Sequence, residues 1–281
     1  MIDFNKFTKY SKPGPRYTSY PTAVEFHEGF DTASLESEFK NQDSSRPLSL
    51  YFHLPFCRSA CYFCGCNVVF TSKEEKLSRY VEYLKKEIDI LSSHLDTSRE
   101  VIQFHFGGGT PTFYSAYELD EIVSYIKSKF PNWSDEAEIS VEIDPRFFNE
   151  DQMKVFEKHG FNRISFGVQD FDEKVQKEIH RIQPYELTKN AVDLARRYGV
   201  NSINVDLIYG LPYQTFESFK STLQQAFSLQ PDRLAVFNYA HVPWMKKTMR
   251  KFDETTIPSP DVKLEILSTL WSFLKTMATK W

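Results

Sequence analysis

From Leu48 onward, short runs of aliphatic and aromatic residues alternate with longer stretches whose apolar positions recur every three or four residues. The runs are "LSLYFHL" (48–54), "VIQFHF" (101–106), "AEISVEI" (137–143), "RISFGV" (163–168), "SINVDLI" (202–208) and "DRLAVFNY" (232–239). Between them, Leu77, Val81, Leu84, Ile88 and Leu91 form one helical stripe. Leu119, Ile122, Val123 and Ile126 form a second, and Leu187, Ala191, Leu194 and Tyr198 a third that Gly199 is suited to end. A last helix is expected from "PSPDVKLEIL", where Ser259 can cap and Pro260 fits the first helical position. Strand and helix alternating in this way predict parallel βαβ units, an α/β fold. The strands are fewer than the eight of a closed barrel, which leaves an open partial barrel or a doubly wound sheet.

The alternation inside each run separates these two. Side chains along a strand point to opposite faces, so Ile139, Val141 and Ile143 share one face while Ser140, Glu142 and Asp144 share the other. The same split sets Ile203, Val205 and Leu207 against Asn204 and Asp206, and Leu50, Phe52 and Leu54 against Tyr51 and His53. It also sets Phe104 and Phe106 against His105, and Ile164, Phe166 and Val168 against Ser165 and Gln169. A doubly wound sheet is covered on both faces and should be apolar on both. The pattern favours a curved sheet with helices outside and a wet, ligand-lined concavity inside. An antiparallel sheet with one solvated face would alternate likewise, but the intervening helices argue against it.

The residues before this region, rich in Pro, Ser, Lys and Tyr, are expected to form an N-terminal arm over 1–46 with one short helix, and 47–281 the barrel unit. The longest apolar runs are strand-sized, which argues against a membrane span. The net charge of −4, without a stretch that concentrates Lys and Arg among aromatics, gives no electrostatic footprint for nucleic acid.

All 4 cysteines of the chain fall in "CRSACYFCGC", residues 57–66. Disulfides there would close loops too short to stabilise much. The polar start "MIDFNKFTKYSKPG" has no apolar signal-peptide core, so the expected compartment is the reducing cytoplasm. The cluster therefore reads as a metal site. Zinc sites usually pair C-x2-C with a distant second pair, which is absent here. Three thiolates at x3 and x2 spacing suit three corners of a [4Fe–4S] cube, with the fourth iron open. A second motif, "GGGTPT" (107–112), directly follows a strand. It lacks the Gly-Lys-Ser/Thr of a P-loop and the G-x-G-x-x-G of a dinucleotide site. Its glycines let backbone approach a ligand closely or make a turn, and it would share one rim of the sheet with the cysteine loop.

C-x3-C-x2-C with an aromatic before the third cysteine, followed one strand later by G-G-G-T-P, resembles the radical S-adenosylmethionine (SAM) enzymes. "PGPRYTSYPT" (ending at Thr22), "YFHLPFC", "CYFCGCN", "EIDPR", "GFNRISFGVQDF", "NVDLIYGLP" and "DRLAVFNYAH" narrow the likeness to the oxygen-independent coproporphyrinogen III oxidases, from about Tyr10 to Leu274. Haem-chaperone relatives tend to carry an aromatic where Cys66 stands. The resemblance implies a partial (β/α)6 radical SAM barrel with an N-terminal arm. It implies a [4Fe–4S] cluster on Cys57, Cys61 and Cys64, with Cys66 in the motif but not a ligand, and two SAM molecules. Tyr51, Gly108 and Glu142 would serve the cluster-bound SAM, and Phe63, Gly109, Thr110, Gln169, Arg181, Asp206 and Ala240 the second. Arg181, alone in a loop, would ordinarily be an exposed arginine.

The implied reaction uses a 5′-deoxyadenosyl radical from SAM to turn two propionates of coproporphyrinogen III into vinyls, giving protoporphyrinogen IX in haem biosynthesis. The implied partners are that substrate and a reductant such as flavodoxin or ferredoxin, acting on a monomer. Arg16 and Tyr17 of the arm are candidates to meet the substrate's carboxylates. Family members continue beyond the point where this sequence stops, into another strand and a helical C-terminal domain. The expectation is thus a truncated product that builds the six-stranded core with impaired turnover. The alternatives are a haem-binding relative of the chaperone kind and, more remotely, a structural zinc module.

Overall fold

The computed structural model describes Lys6 and residues 25–278. A short helix α1 (Thr32–Lys40) comes first and buries none of its residues. Strand β1 (Leu48–Leu54) then starts the main sheet, and a parallel two-residue ribbon, β2 (Phe56–Cys57) with β3 (Val69–Phe70), closes the base of the cysteine loop. The remaining order is α2 (Glu74–His94), β4 (Val101–Gly108), α3 (Ala116–Lys129), β5 (Trp133–Ile143), α4 (Glu150–Lys158), β6 (Arg163–Gln169), α5 (Glu173–Glu178), α6 (Tyr185–Arg197), β7 (Ser202–Tyr209), α7 (Phe216–Ser228), β8 (Arg233–Asn238) and α8 (Pro260–Ala278). The main sheet has 6 strands in the order β1-β4-β5-β6-β7-β8, and every neighbouring pair is parallel.

Each strand anticipated from the apolar runs is present, with ends moved by a few residues. The structure lengthens β5 backward to Trp133, where polar Ser134, Asp135 and Glu136 hid the strand from the apolar pattern. Helices α4 and α7 were not singled out by apolar spacing. Polar capping boxes open them instead, Asn149 with Gln152 and Thr215 with Ser218. Gly199, at φ +80°, follows α6 as expected, and the Val262 amide donates to Ser259 Oγ at the start of α8.

The two strand faces have opposite characters. On the helix side, Val101, Phe104, Phe106, Val141, Ile164, Phe166 and Ile203 are fully buried and pack with residues of α2, α3, α4 and α6 in one core. Helices α7 and α8 cover β7 through a second core that includes Phe219, Leu223, Ile266 and Leu270. A third, small core of Val175, Ile179, Leu211, Tyr239, Met249 and Phe252 lies at the strand ends, with Tyr62 and Phe63 of the cysteine loop packed against it. Because all strands run parallel, every loop that follows a strand emerges at the same rim. The cysteine loop, the glycine turn, "DPR", "QDF" and "GLP" therefore meet there.

Candidate functional site

The inward strand face is a connected polar row. Asn67 O accepts from His53 Nε2 (2.7 Å), so in the neutral ring Nδ1 accepts the Tyr51 hydroxyl, 2.9 Å away. The Tyr51 ring stacks on His105, with centroids 5.8 Å apart. His105 in turn lies 2.7 Å from Ser140 Oγ and 3.4 Å from Glu142 Oε1. Further along the sheet, Asn204 Nδ2 donates to Ser165 Oγ (2.8 Å) and to Asp206 Oδ1 (2.7 Å), and Ser165 Oγ donates to Asp206 Oδ2 (3.0 Å). Burial pushes the Asp206 carboxyl up to about 6 against these donors, with the Glu142 charge adding to the rise.

The glycine turn serves the cysteine loop more than an open cradle. The Gly109 amide donates to Leu54 O (2.8 Å) and the Thr110 amide to Phe56 O (3.0 Å). A β-carbon on Gly109 would stand 2.5 Å from Pro55 O, so glycine is required for the close approach of the two backbones. These two backbone donors are spent on the fold, which favours the turn over the ligand cradle among the two readings of the glycine run. Thr110 is buried, with its hydroxyl 3.1 Å from that of Thr112. Gly108, at φ +118°, makes room for the His53 ring, which a β-carbon would meet at 2.9 Å.

Cys57, Cys61 and Cys64 are half-buried and all four thiols are free. The loop is held from several directions. The Tyr62 amide donates to Ile179 O (3.0 Å), the Tyr62 ring stacks on His180 (4.9 Å), and Lys246 Nζ donates to Cys66 O (2.9 Å). Burial, with Cys64 and Cys61 adding to it, pushes the Cys57 thiol up to about 12. A hydrogen bond between Cys64 and Cys66 raises the former and lowers the latter.

Arg181 is not the exposed arginine its loop suggested. It is buried, donating to Asp144 Oδ2 (2.9 Å), Gly167 O (2.7 Å) and Cys61 Sγ (3.6 Å), while its Nε is buried without a partner. Gln169 ends β6 at φ +72°, after a register shift, and a β-carbon on Gly167 would meet its amide nitrogen at 3.0 Å and Arg181 Nη2 at 3.1 Å. Gln169 and Arg181 thus converge over Gly167, which pairs with Asp206 in the sheet. Tyr51 and Glu142 are exposed, Phe63 and Ala240 half-buried at the rim. Arg16 and Tyr17 lie outside the described residues.

Arg146 joins the candidate site without a signal in the sequence, while the sequence places Asp144, His53 and His105 on the polar face but gives them no ligand to hold. The signal for Asp144 was its polar-face position, followed two residues later by an arginine.

The residues present suit an anionic cluster. Asp144, Arg146 and Arg181 are buried together, and two guanidiniums against one carboxylate leave one positive charge in excess beside Cys61. Such an excess is costly away from water unless an anion balances it, which thiolate-bound iron–sulfur would do. Among the described residues no three or more His, Cys, Asp or Glu are gathered as a single ion requires.

The radical SAM superfamily pattern matches residues 51–226, from within β1 into α7. The chain belongs to the radical SAM superfamily. Membership implies a [4Fe–4S] cluster and SAM. Oxygen-independent coproporphyrinogen III oxidase of Helicobacter pylori (strain J99 / ATCC 700824) is 63% identical over 98% of this chain and 61% of its own length. The protein of the same name from Escherichia coli (strain K12) is 44% identical over 97% of this chain and 59% of its own length. The solved structure of coproporphyrinogen III oxidase from Escherichia coli, described as a radical SAM enzyme, superposes with a TM-score of 0.88 at 43% identity, covering 92% of this chain and 59% of that one. This chain spans about three-fifths of the length of these relatives. No helix among the described residues is long and apolar enough to cross a membrane.

Proposed function

We propose that the chain carries the cluster- and SAM-binding unit of an oxygen-independent coproporphyrinogen III oxidase. The reaction would convert two propionates of coproporphyrinogen III to vinyls and yield protoporphyrinogen IX. The observation that carries this reading is 63% identity across nearly the whole chain with a relative of that name. Cys57, Cys61 and Cys64 would hold the cluster. When bound, the cluster and SAM supply hydrogen-abstracting one-electron chemistry. Each propionate then gives up one hydrogen atom, its carboxyl as carbon dioxide, and one electron to an acceptor.

The chain's own residues bind and orient. Tyr51, Gly108 and Glu142 would take one SAM, with Glu142 accepting from its ammonium group. We assign a second SAM to Phe63, Gly109, Thr110, Gln169, Arg181, Asp206 and Ala240. Convergence of Gln169 and Arg181 over Gly167, and the unpartnered Arg181 Nε, support that subsite. The spent amides of Gly109 and Thr110 restrict their part to shape and side chain. Within this reading the arm is 1–46 and the barrel unit 47–281, the compartment is the cytoplasm, the reductant is a flavodoxin or ferredoxin, and the chain acts as a monomer.

The test is anaerobic. The chain is reconstituted with iron and sulfide, given SAM, a reductant and coproporphyrinogen III, and assayed for 5′-deoxyadenosine and vinyl porphyrins together. Both products are expected, the vinyl porphyrins at impaired turnover. SAM cleavage with the porphyrinogen untouched would refute the oxidase activity of this chain and leave a cluster-bearing relative.

A further inference from the structure

Cys61 differs from the other two cysteines proposed as ligands in what faces its sulfur. Arg146 Nη2 and Arg181 Nη1 each lie 3.6 Å from Cys61 Sγ. The two arginines come from different strand ends, Arg146 from the turn after β5 and Arg181 from the segment after α5. Asp144 brings them together. Its carboxylate accepts from Arg146 Nε (3.0 Å) and Nη2 (2.7 Å) and from Arg181 Nη1 (2.9 Å). All three side chains are almost wholly buried, at 9%, 13% and 7% exposure for Asp144, Arg146 and Arg181. The Arg146 guanidinium also lies 5.3 Å from the centre of the Phe147 ring, which limits its swing.

We propose that Asp144 and Arg146 are positioning residues of the cluster site, holding a two-arginine cap on the sulfur of Cys61 that raises the cluster's reduction potential. This rests on the cluster reading above. The physical reason is direct: donors and positive charge at a thiolate sulfur stabilise the electron-richer state, and hydrogen bonds to sulfur are a principal lever on such potentials. A planar guanidinium can reach the carboxylate and the sulfur with the same fork, which an ammonium cannot. The carboxylate keeps two like charges adjacent without mutual repulsion opening the pocket.

The experiment is a redox titration of the anaerobically reconstituted chain, followed by electron paramagnetic resonance, with iron and sulfide counted in each sample. Arg146→Gln should shift the one-electron equilibrium about tenfold toward the oxidised cluster, about 59 mV lower in potential. Arg146→Lys, which restores charge without the fork, should recover part of the shift. Asp144→Asn should broaden the signal, because both guanidiniums lose their common anchor, and should shift the potential less than Arg146→Gln, because losing the carboxylate charge opposes the fall from a looser cap. A parent chain that takes up no iron–sulfur cluster overturns the cluster reading and the cap with it. A parent that loads, with Arg146→Gln at the parental potential, overturns the cap alone. So does loss of iron in Arg146→Gln with an unshifted potential in Arg146→Lys, since Arg146 would then be structural.

Discussion

Replacing Gly109 with alanine separates two roles for the glycine turn. The new β-carbon would lie 2.5 Å from Pro55 O, 2.6 Å from Pro55 C and 2.7 Å from Phe56 O, all backbone atoms of the segment leading into Cys57. Ordinary contact begins near 3.4 Å, so the two backbones must part by about an ångström. That movement costs about 1–3 kcal/mol as overpacking. It also stretches the Gly109–Leu54 and Thr110–Phe56 hydrogen bonds, each contributing about 0.5–1.5 kcal/mol. Reduced freedom of the unfolded chain returns about 0.4–1 kcal/mol. The net expectation is about 3 kcal/mol lost, or a fall in Tm of roughly 6–12 °C for a domain of this size. Thermal unfolding followed by circular dichroism measures it, with iron content after reconstitution read on the same samples. Iron should fall too, because Cys57 moves with the displaced strand. Gly65→Ala is the control, since a β-carbon there meets nothing within 4 Å, and its Tm should hold. A Gly109→Ala chain with parental Tm and iron, but weakened SAM binding, would refute the packing argument.

Three other outcomes are expected. Asp170 is buried and, despite donors from Gln214, Thr222 and the Asp172 amide, is pushed up to about 6 from 3.8. The folded chain then holds a proton that the unfolded chain releases, so stability from this group is present below about pH 4 and is lost as the pH rises through about 6, by up to about 3 kcal/mol. The stability of the parent relative to Asp170→Asn in urea titrations should therefore fall from about pH 4 to about pH 7, and a relative stability that rises over that range would contradict the sign. Cys61→Ala should abolish reconstitution of a brown, sulfide-containing protein while Cys66→Ala keeps it, as iron and sulfide assays will record. Gln152 is buried and donates to Thr112 O (3.0 Å) and Tyr114 O (2.8 Å), so Gln152→Leu should strand these carbonyls and cost about 2–4 kcal/mol in denaturant unfolding.

What the sequence determined by itself is local in origin. A strand shows its period of two within a handful of residues, so the apolar runs and the polar inward face were legible, including Glu142 and Asp206. Cysteine spacing within one short loop is likewise a sequence property, and it is the basis of the proposed cluster site. The strand opening at Trp133 was not legible, because Ser134, Asp135 and Glu136 are polar and this end is half-buried to exposed, so no apolar alternation marks it. The structure alone decided what depends on partners remote in the chain. Arg181 is buried because Asp144, Gly167 and Cys61 converge on it from three different strand ends. Gly109 is a glycine because the backbone at Pro55 passes against it. The cap on Cys61 joins residues far apart in sequence, which only the parallel order of the strands brings to one rim. A residue pattern encodes which way a side chain points, but what it meets there is set by tertiary packing.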